Sequence, residues 1–321
     1  MTGTDDGTDD GTDDGTPLEL LAEVCGRFGL GTLRGAVRSV GRNNRSWRVT
    51  TDGEVVHLRE VRGSKGDPGL AFEHDLTERL AGAGVPVARW LPASDGGPWL
   101  EHDGATFVVQ AFVTGTGPAR TPQDAALCGG ALAATHRVLR DVDSVPEIEH
   151  PPLHEVLAAR LPGLPAADAH AAGEVRARVA EVWAGKTLVH GGARRSSYLL
   201  HEGRVAAVLD FDSARPGPPG YDLATLVNSF ARDNAAIAAG GATLREPLVR
   251  AIVAGYGAGA DAALVEEALV LCAGLVAKRA LSASSRPQDA DGAAARRRAE
   301  LAAAVRLADD APRLAAAALP G

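Results

Sequence analysis

Two carboxylates and one guanidinium stand where the chain would ordinarily avoid charge. Asp210 closes the apolar run VAAVLD and Asp212 follows two residues later, which in an extended strand puts both side chains on one face. A carboxylate at the end of a buried strand is costly unless it is paired or coordinates a cation, so Asp210 and Asp212 are candidates for either. A helix cap would also excuse Asp212. Arg59 lies in the strand-like run HLREV, and since the chain's lysines are Lys65, Lys186 and Lys278, it is that strand's cation. A guanidinium is permanently charged and forks onto phosphate oxygens; the competing reading is a solvated arginine on a hairpin. A metal and a fixed cation are what neutralise a phosphoryl group in transfer, and the remaining requirement is a group that accepts the proton of the attacking hydroxyl.

The elements that must hold these groups follow from periodicity. Thr16 and Pro17 open a helix with Leu21, Val24, Cys25 and Phe28 on one face. RSWRVTTDGEVVHLREV alternates around Asp52-Gly53 as a hairpin, with Trp47, Val49, Val55 and Leu58 as sheet residues. FEHDLTERLAGAG reads as a helix and TFVVQAFV as a strand. Beyond residue 113 the pattern turns helical: Thr121 and Pro122 start a helix through Arg140, and further helices are expected within 166–184, 243–256, 261–282 and 292–318. One β interruption, SYLLHEGRVAAVLDFD, turns at Glu202-Gly203.

This ordering predicts an α+β, bilobal chain with a small antiparallel sheet lobe over 17–113, a mainly helical lobe over 114–321, and the hairpin at the cleft. A length of 321 residues with 45% hydrophobic content suits two lobes.

Charge and cysteines restrict the remaining classes. Six of the eight excess negative charges belong to Asp5, Asp6, Asp9, Asp10, Asp13 and Asp14 in the repeat TGTDDGTDDGTDDGT, so the body is nearly neutral. That repeat, residues 1–16, is too polar to fold and lacks the spacing of a calcium loop, so it reads as a disordered acidic tail. Without a basic–aromatic stripe nucleic-acid binding is disfavoured, and Arg296 to Arg298 read as one polar face of a terminal helix. Cys25, Cys128 and Cys272 are too scattered for a disulfide frame and read as buried thiols in a reducing compartment. The longest apolar candidate, LVEEALVLCAGLVA, is interrupted by Glu266 and Glu267, and no basic, apolar leader opens the chain; a cytoplasmic protein without a membrane partner is expected.

From about Val40 to Tyr256 the chain resembles the aminoglycoside phosphotransferase and choline kinase-like family, relatives of protein kinases. VGRNNRSWRV is similar to the family's nucleotide-covering hairpin, HLREV to its phosphate-binding strand, and Glu73 in FEHDL to the helix carboxylate that pairs with that strand. GALAATHRVL resembles the family's ALAxLH helix; HGG, LDFD and PGYDLA follow in the order of its catalytic loop, metal strand and anchoring turn. The resemblance implies a protein-kinase-like fold and ATP or GTP with magnesium as cofactor. It assigns Arg42, Asn43, Asn44, Arg59, Glu73 and Gln110 to the nucleotide, Asp210 and Asp212 to the metal, and His190 and positions 192 and 197 to the catalytic loop. Asp222 would anchor that loop, though it also reads as a helix cap.

At two loop positions the sequence departs from the family. Relatives carry Asp two residues after the loop histidine and Asn seven after it; here these are Gly192 and Ser197. Glycine accepts no proton, and loss of a positioned base removes about 10²–10⁴-fold in rate. The implied function is therefore a pseudokinase, a nucleotide- or ligand-binding partner of another enzyme. The alternative is a divergent kinase acting on a small-molecule hydroxyl or a peptide Ser/Thr, its base supplied by substrate or partner. His190 reads as a brace of the loop, and Arg194 and Arg195 either hold an acidic ligand or are solvated. Asp141, Asp143, Glu147 and Glu149 form either an acidic rim for an amine or a solvated loop.

Overall fold

The computed structural model describes residues 18–39, 44–61, 66–142, 150–184, 187–282 and 290–319. The acidic repeat, Arg42, Asn43, Asp143, Glu147 and Glu149 lie outside the described residues. The chain divides into two compact units, Met1–Lys65 with Arg89–Phe112, and Gly66–Ala88 with Val113–Gly321.

The first unit packs helix α1 (Leu18–Arg27) on an antiparallel sheet of β1 (Leu33–Ser39), β2 (Arg45–Thr51), β3 (Val55–Val61), β4 (Trp90–Leu91), β5 (Leu100–His102) and β6 (Ala105–Ala111). The strand order is β1-β2-β3-β6-β4, with β5 paired to β6. Alternation sends Trp47, Val49, Val56, Leu58, Phe107 and Val109 into one core with Leu21, Val24, Cys25 and Phe28. Val55 begins β3, as expected of a sheet residue, and is 36% exposed, while its neighbour Val56 takes the core position.

The second unit contains α2 (Gly66–Gly82), α3 (Pro122–Leu139), α4 (Leu153–Ala158), α5 (Ala166–Val182), α6 (Gly220–Ala231), α7 (Asn234–Ala238), α8 (Glu246–Tyr256), α9 (Ala262–Ser282) and α10 (Ala290–Ala318). Two short antiparallel ribbons interrupt them: β7 (Thr187–Val189) with β10 (Arg215–Gly217), and β8 (Tyr198–His201) with β9 (Arg204–Val208). Helix α9 is apolar around most of its circumference and is packed by α4, α5, α6 and α10. Thr121 caps α3, its hydroxyl accepting from the Asp124 N–H at 3.2 Å, as the cap-then-proline signal requires. Glu202 and Gly203 both adopt left-handed φ, 51° and 73°, and close the β8–β9 turn. The sequence puts α2 with the sheet lobe; Leu76 and Leu80 instead join the apolar core of the second unit, because this helix finds its buried partners there. Among the described residues no helix is long and apolar enough to cross a membrane.

Candidate functional site

In the first unit, the face of the sheet turned away from α1 carries the polar residues of interest. The register sets Ser46 and Val108 beside Arg59, and Arg48 and Gln110 beside His57, so these side chains share one face. Arg59 is only 8% exposed, with its guanidinium 5.6 Å from the centre of the Trp90 ring. It is therefore not the solvated hairpin arginine of the competing reading, and the aromatic contact fixes its fork. Burial, and then the charge of Arg59, push the His57 imidazole below its ordinary pKa, against a hydrogen bond with Gln110, so His57 is mainly neutral at pH 7. Asn44 lies at the bend entering β2.

In the second unit the loop after β7 is built around Asp222. This carboxylate is fully buried in the first turn of α6, and its oxygens accept from the backbone N–H of His190 (2.6 Å) and of Gly191 (2.9 Å) and from His136 Nε2 (3.1 Å). Burial works against its charge, but the His136 hydrogen bond and charge, with His190 and its N–H, hold Asp222 below the usual carboxylate range. The helix begins at Gly220 with Pro219 as its cap, so Asp222 acts as the loop anchor and not as the cap of α6. His136 is itself held by the Tyr256 hydroxyl at 2.7 Å from Nδ1.

His190 is engaged through both ring nitrogens. Nε2 lies 2.8 Å from the Leu209 carbonyl, which only accepts, while Nδ1 receives the Gly192 N–H at 3.3 Å. These partners fix the proton on Nε2 and leave the ring no free nitrogen, which is the geometry of a brace. Ser197 is likewise committed: its hydroxyl donates to the Gly192 carbonyl at 2.9 Å, and its carbonyl accepts from Leu209 N–H at 2.8 Å. Gly191 has φ of 79°, and a Cβ there would lie 1.9 Å from the Ser213 carbonyl oxygen. At Gly192 a Cβ would meet nothing nearer than Ser213 Cβ at 3.8 Å, so the backbone has room for a side chain that the sequence does not provide.

The placement of Asp210 differs from the strand alternation argument. β9 ends at Val208, and Asp210 adopts a left-handed conformation (φ 66°, ψ 45°) before a 3-10 turn over Phe211–Ser213. Asp210 and Asp212 therefore do not share a strand face. What replaces that arrangement is backbone strain, which costs a non-glycine residue about 1–2 kcal/mol and is held here by the two Leu209 hydrogen bonds just upstream. Asp210 is exposed, Asp212 is partly buried, and Asp212 accepts from the Ser213 hydroxyl at 3.2 Å. Among the described residues no three His, Cys, Asp or Glu side chains form a metal cage. One or two carboxylates suit magnesium, which completes its shell with water and substrate phosphates.

The other expected site residues divide. Glu73 is buried in α2, not solvated. Arg195 is tied down, its N–H on the Ser229 hydroxyl at 2.9 Å and its guanidinium on the Pro118 carbonyl, whereas Arg194 is exposed. Sequence reasoning gave no role to Arg160, which donates to the Lys278 carbonyl at 3.0 Å, or to Arg215, which pairs with Val189 just before His190 and lies over the Tyr221 ring. The three cysteines are buried and unbridged, and burial pushes the thiols of Cys128 and Cys272 up to about 12.

Residues 35–264 match the sequences grouped as the Phosphotransferase enzyme family. An uncharacterized protein of Deinococcus radiodurans is 28% identical over 225 residues, and the aligned part spans 65% of this chain and 65% of that relative's length. An aminoglycoside phosphotransferase from Alicyclobacillus acidocaldarius superposes with a TM-score of 0.68 at 16% identity, covering 94% of this chain and 99% of that one. A microcompartment-associated aminopropanol kinase gives 0.68 at 18% identity, covering 93% and 100%. A spectinomycin phosphotransferase solved with ADP and spectinomycin gives 0.60 at 13% identity, covering 91% and 98%. These likenesses bear out the α+β, bilobal, protein-kinase-like fold expected from the sequence.

Proposed function

The chain belongs to the phosphotransferase enzyme family, and from that premise we propose that it is a pseudokinase: a nucleotide- and ligand-binding member that serves another enzyme as a partner and transfers phosphate poorly or not at all. The observation that carries this reading is Gly192. The loop around it is anchored by Asp222 and braced by His190, yet the position that the resemblance gives to the proton acceptor has no side chain. Ser197, at the second departing position, spends its hydroxyl on the Gly192 carbonyl instead of presenting it outward. Arg59 on its sheet face is the phosphate-binding candidate of the first unit, with Asn44 and Gln110; Glu73, Asp210 and Asp212 belong to the second. Asp210, with Asp212 beside it, would hold magnesium, which when bound neutralises nucleotide phosphates.

One observation favours a second reading. A Cβ at Gly192 would make only ordinary van der Waals contacts, at 3.8 Å and beyond, so a basic group from a substrate or a partner standing where the side chain is missing would make the chain a divergent kinase of a small-molecule hydroxyl or a peptide Ser/Thr. Titration of wild type and Asp210→Ala with ATP or GTP and magnesium tests both. Nucleotide at about 100 times its Kd should stabilise wild type by about 2.7 kcal/mol and the variant by less. No thermal shift in wild type removes nucleotide binding from the proposal. Release of ADP or GDP on a hydroxyl panel, lost in Asp210→Ala, overturns the pseudokinase reading in favour of the second.

A further inference from the structure

Among the described residues four large apolar side chains are exposed, and three of them, Val37, Val55 and Phe112, share the sheet face of the first unit that carries Arg59. Exposed apolar surface gathered on one face marks a place of contact. The polar groups set among it are fixed by register. Arg48 stands opposite Val37 on one side and His57 on the other, and His57 stands opposite Gln110, so Arg48, His57 and Gln110 form one row across β2, β3 and β6. Directly opposed residues of an antiparallel pair have Cβ atoms about 4.5–5.5 Å apart. Arg59 follows two residues along β3, in the next row with Ser46 and Val108. Each guanidinium is seated on a ring, Arg48 at 5.7 Å from the centre of Phe112 and Arg59 at 5.6 Å from that of Trp90.

His57 therefore stands between two fixed cations. The strands carry two carboxylates, and neither adjoins it. Glu60 is on the opposite face with Arg45 at 3.5 Å, and Glu101, opposite Thr106, shares the face but lies two rows away. Guanidiniums stay charged at every ordinary pH, so the imidazole is the cationic group of this row whose charge can change. In the free protein burial, and then Arg59, disfavour its proton, and the hydrogen bond with Gln110 does not outweigh them. Phosphate oxygens brought to Arg48 and Arg59 reverse the sign of the field at the ring and favour the imidazolium. A ligand that makes a group easier to protonate takes up a proton from solvent as it binds, and binds more tightly as pH falls.

We propose that His57 is a proton-coupled contact for a nucleoside triphosphate on this sheet face: phosphates held by Arg48 and Arg59 draw a proton onto His57, which then supplies a third positive charge. This rests on the reading of Arg59 as a phosphate-binding residue and adds to it that the affinity of the site depends on pH.

The test is calorimetric titration of the full chain with ATP or GTP and excess magnesium between about pH 5.5 and about pH 8, in buffers of different ionisation enthalpy. Wild type should take up more protons on binding than His57→Gln in the acid half of this range. Its Kd should fall by about fivefold or more relative to that of His57→Gln between the two ends. The terminal phosphate of the nucleotide titrates in the same range, but it contributes equally to both proteins, so their difference belongs to His57. A second measurement needs no variant: the carbon-bound ring protons of His57, followed by NMR, should titrate at a higher pH with nucleotide than without. Equal proton uptake and equal pH dependence in the two proteins, or a His57 titration unmoved by nucleotide, overturns the proposal and leaves nucleotide binding standing. Absence of nucleotide binding at every pH overturns the nucleotide reading and this proposal with it.

Discussion

A methyl group added at Gly191 would lie 1.9 Å from the Ser213 carbonyl oxygen, whereas one added at Gly192 would meet nothing closer than 3.8 Å. The neighbours are both glycine for different reasons. Gly191 is required by its left-handed φ of 79° and by the close backbone approach; Gly192 has neither constraint and lacks only the side chain that would take a proton. Gly191→Ala should therefore destabilise the fold by more than about 2 kcal/mol, combining backbone strain with a displaced turn. Gly192→Asp should fold with a change within about 1 kcal/mol. Combined with Ser197→Asn, and given nucleotide binding, it should raise nucleotide turnover by about 10²–10⁴-fold over wild type. Urea unfolding and a coupled ADP-release assay read the two effects separately. A well-folded double variant that binds magnesium-ATP but gains no turnover would show that the missing carboxylate is not what limits the chemistry.

At the scale of elements, Asp222 joins three of them: α6 that carries it, α3 through His136, and the loop through the N–H groups of His190 and Gly191. Its pKa is held below the ordinary range, so its stabilising contribution is complete above the unfolded value of about 4 and is lost as pH falls through the folded value. Asp222→Asn should cost about 3 kcal/mol or more at pH 7, since an amide cannot accept all three donors and its NH₂ meets an N–H. The gap to wild type should narrow as pH falls below about 4, where the unfolded wild type takes up a proton that the folded Asp222 still refuses. Urea midpoints of both proteins between pH 7 and pH 3 check this; a gap independent of pH would mean the loop is held by packing instead. This anchor was legible in the sequence because HGG, LDFD and GYDLA are local motifs in a fixed order. The strain at Asp210 was not, since an apolar run ending in Asp carries no sign that the chain leaves the strand at Val208. The contact of Arg160 with the Lys278 carbonyl was not legible for a related reason: the packing of α4 on α9, not spacing, brings the two together.

At the scale of the whole molecule, α10 shows how a correct element can be given the wrong face. The run GAAARRRAE reads as one polar face of the helix, yet Arg297 turns inward and meets Asp168 of α5 at 2.7 Å, with both side chains largely buried. One turn onward Glu300 meets the buried Arg232 at 2.7 Å. Helical periodicity separates Arg297 from Arg296 and Arg298 by about 100° on either side, so three consecutive arginines cannot share one face. The helix is thus docked on α5 and α9 by apolar residues, among them Leu301, Ala304 and Leu307, and oriented by two buried ion pairs. Removing one partner of such a pair strands the other charge, so Asp168→Ala should lower stability by about 3–5 kcal/mol. Replacing both, as Asp168→Leu with Arg297→Met, removes the stranded charge and should recover most of that loss. Guanidinium unfolding of Asp168→Leu, Arg297→Met and the double variant that combines them gives the coupling directly. A coupling near zero would assign the docking of α10 to its apolar face alone, because a pair that only accompanies hydrophobic packing leaves the two substitutions additive.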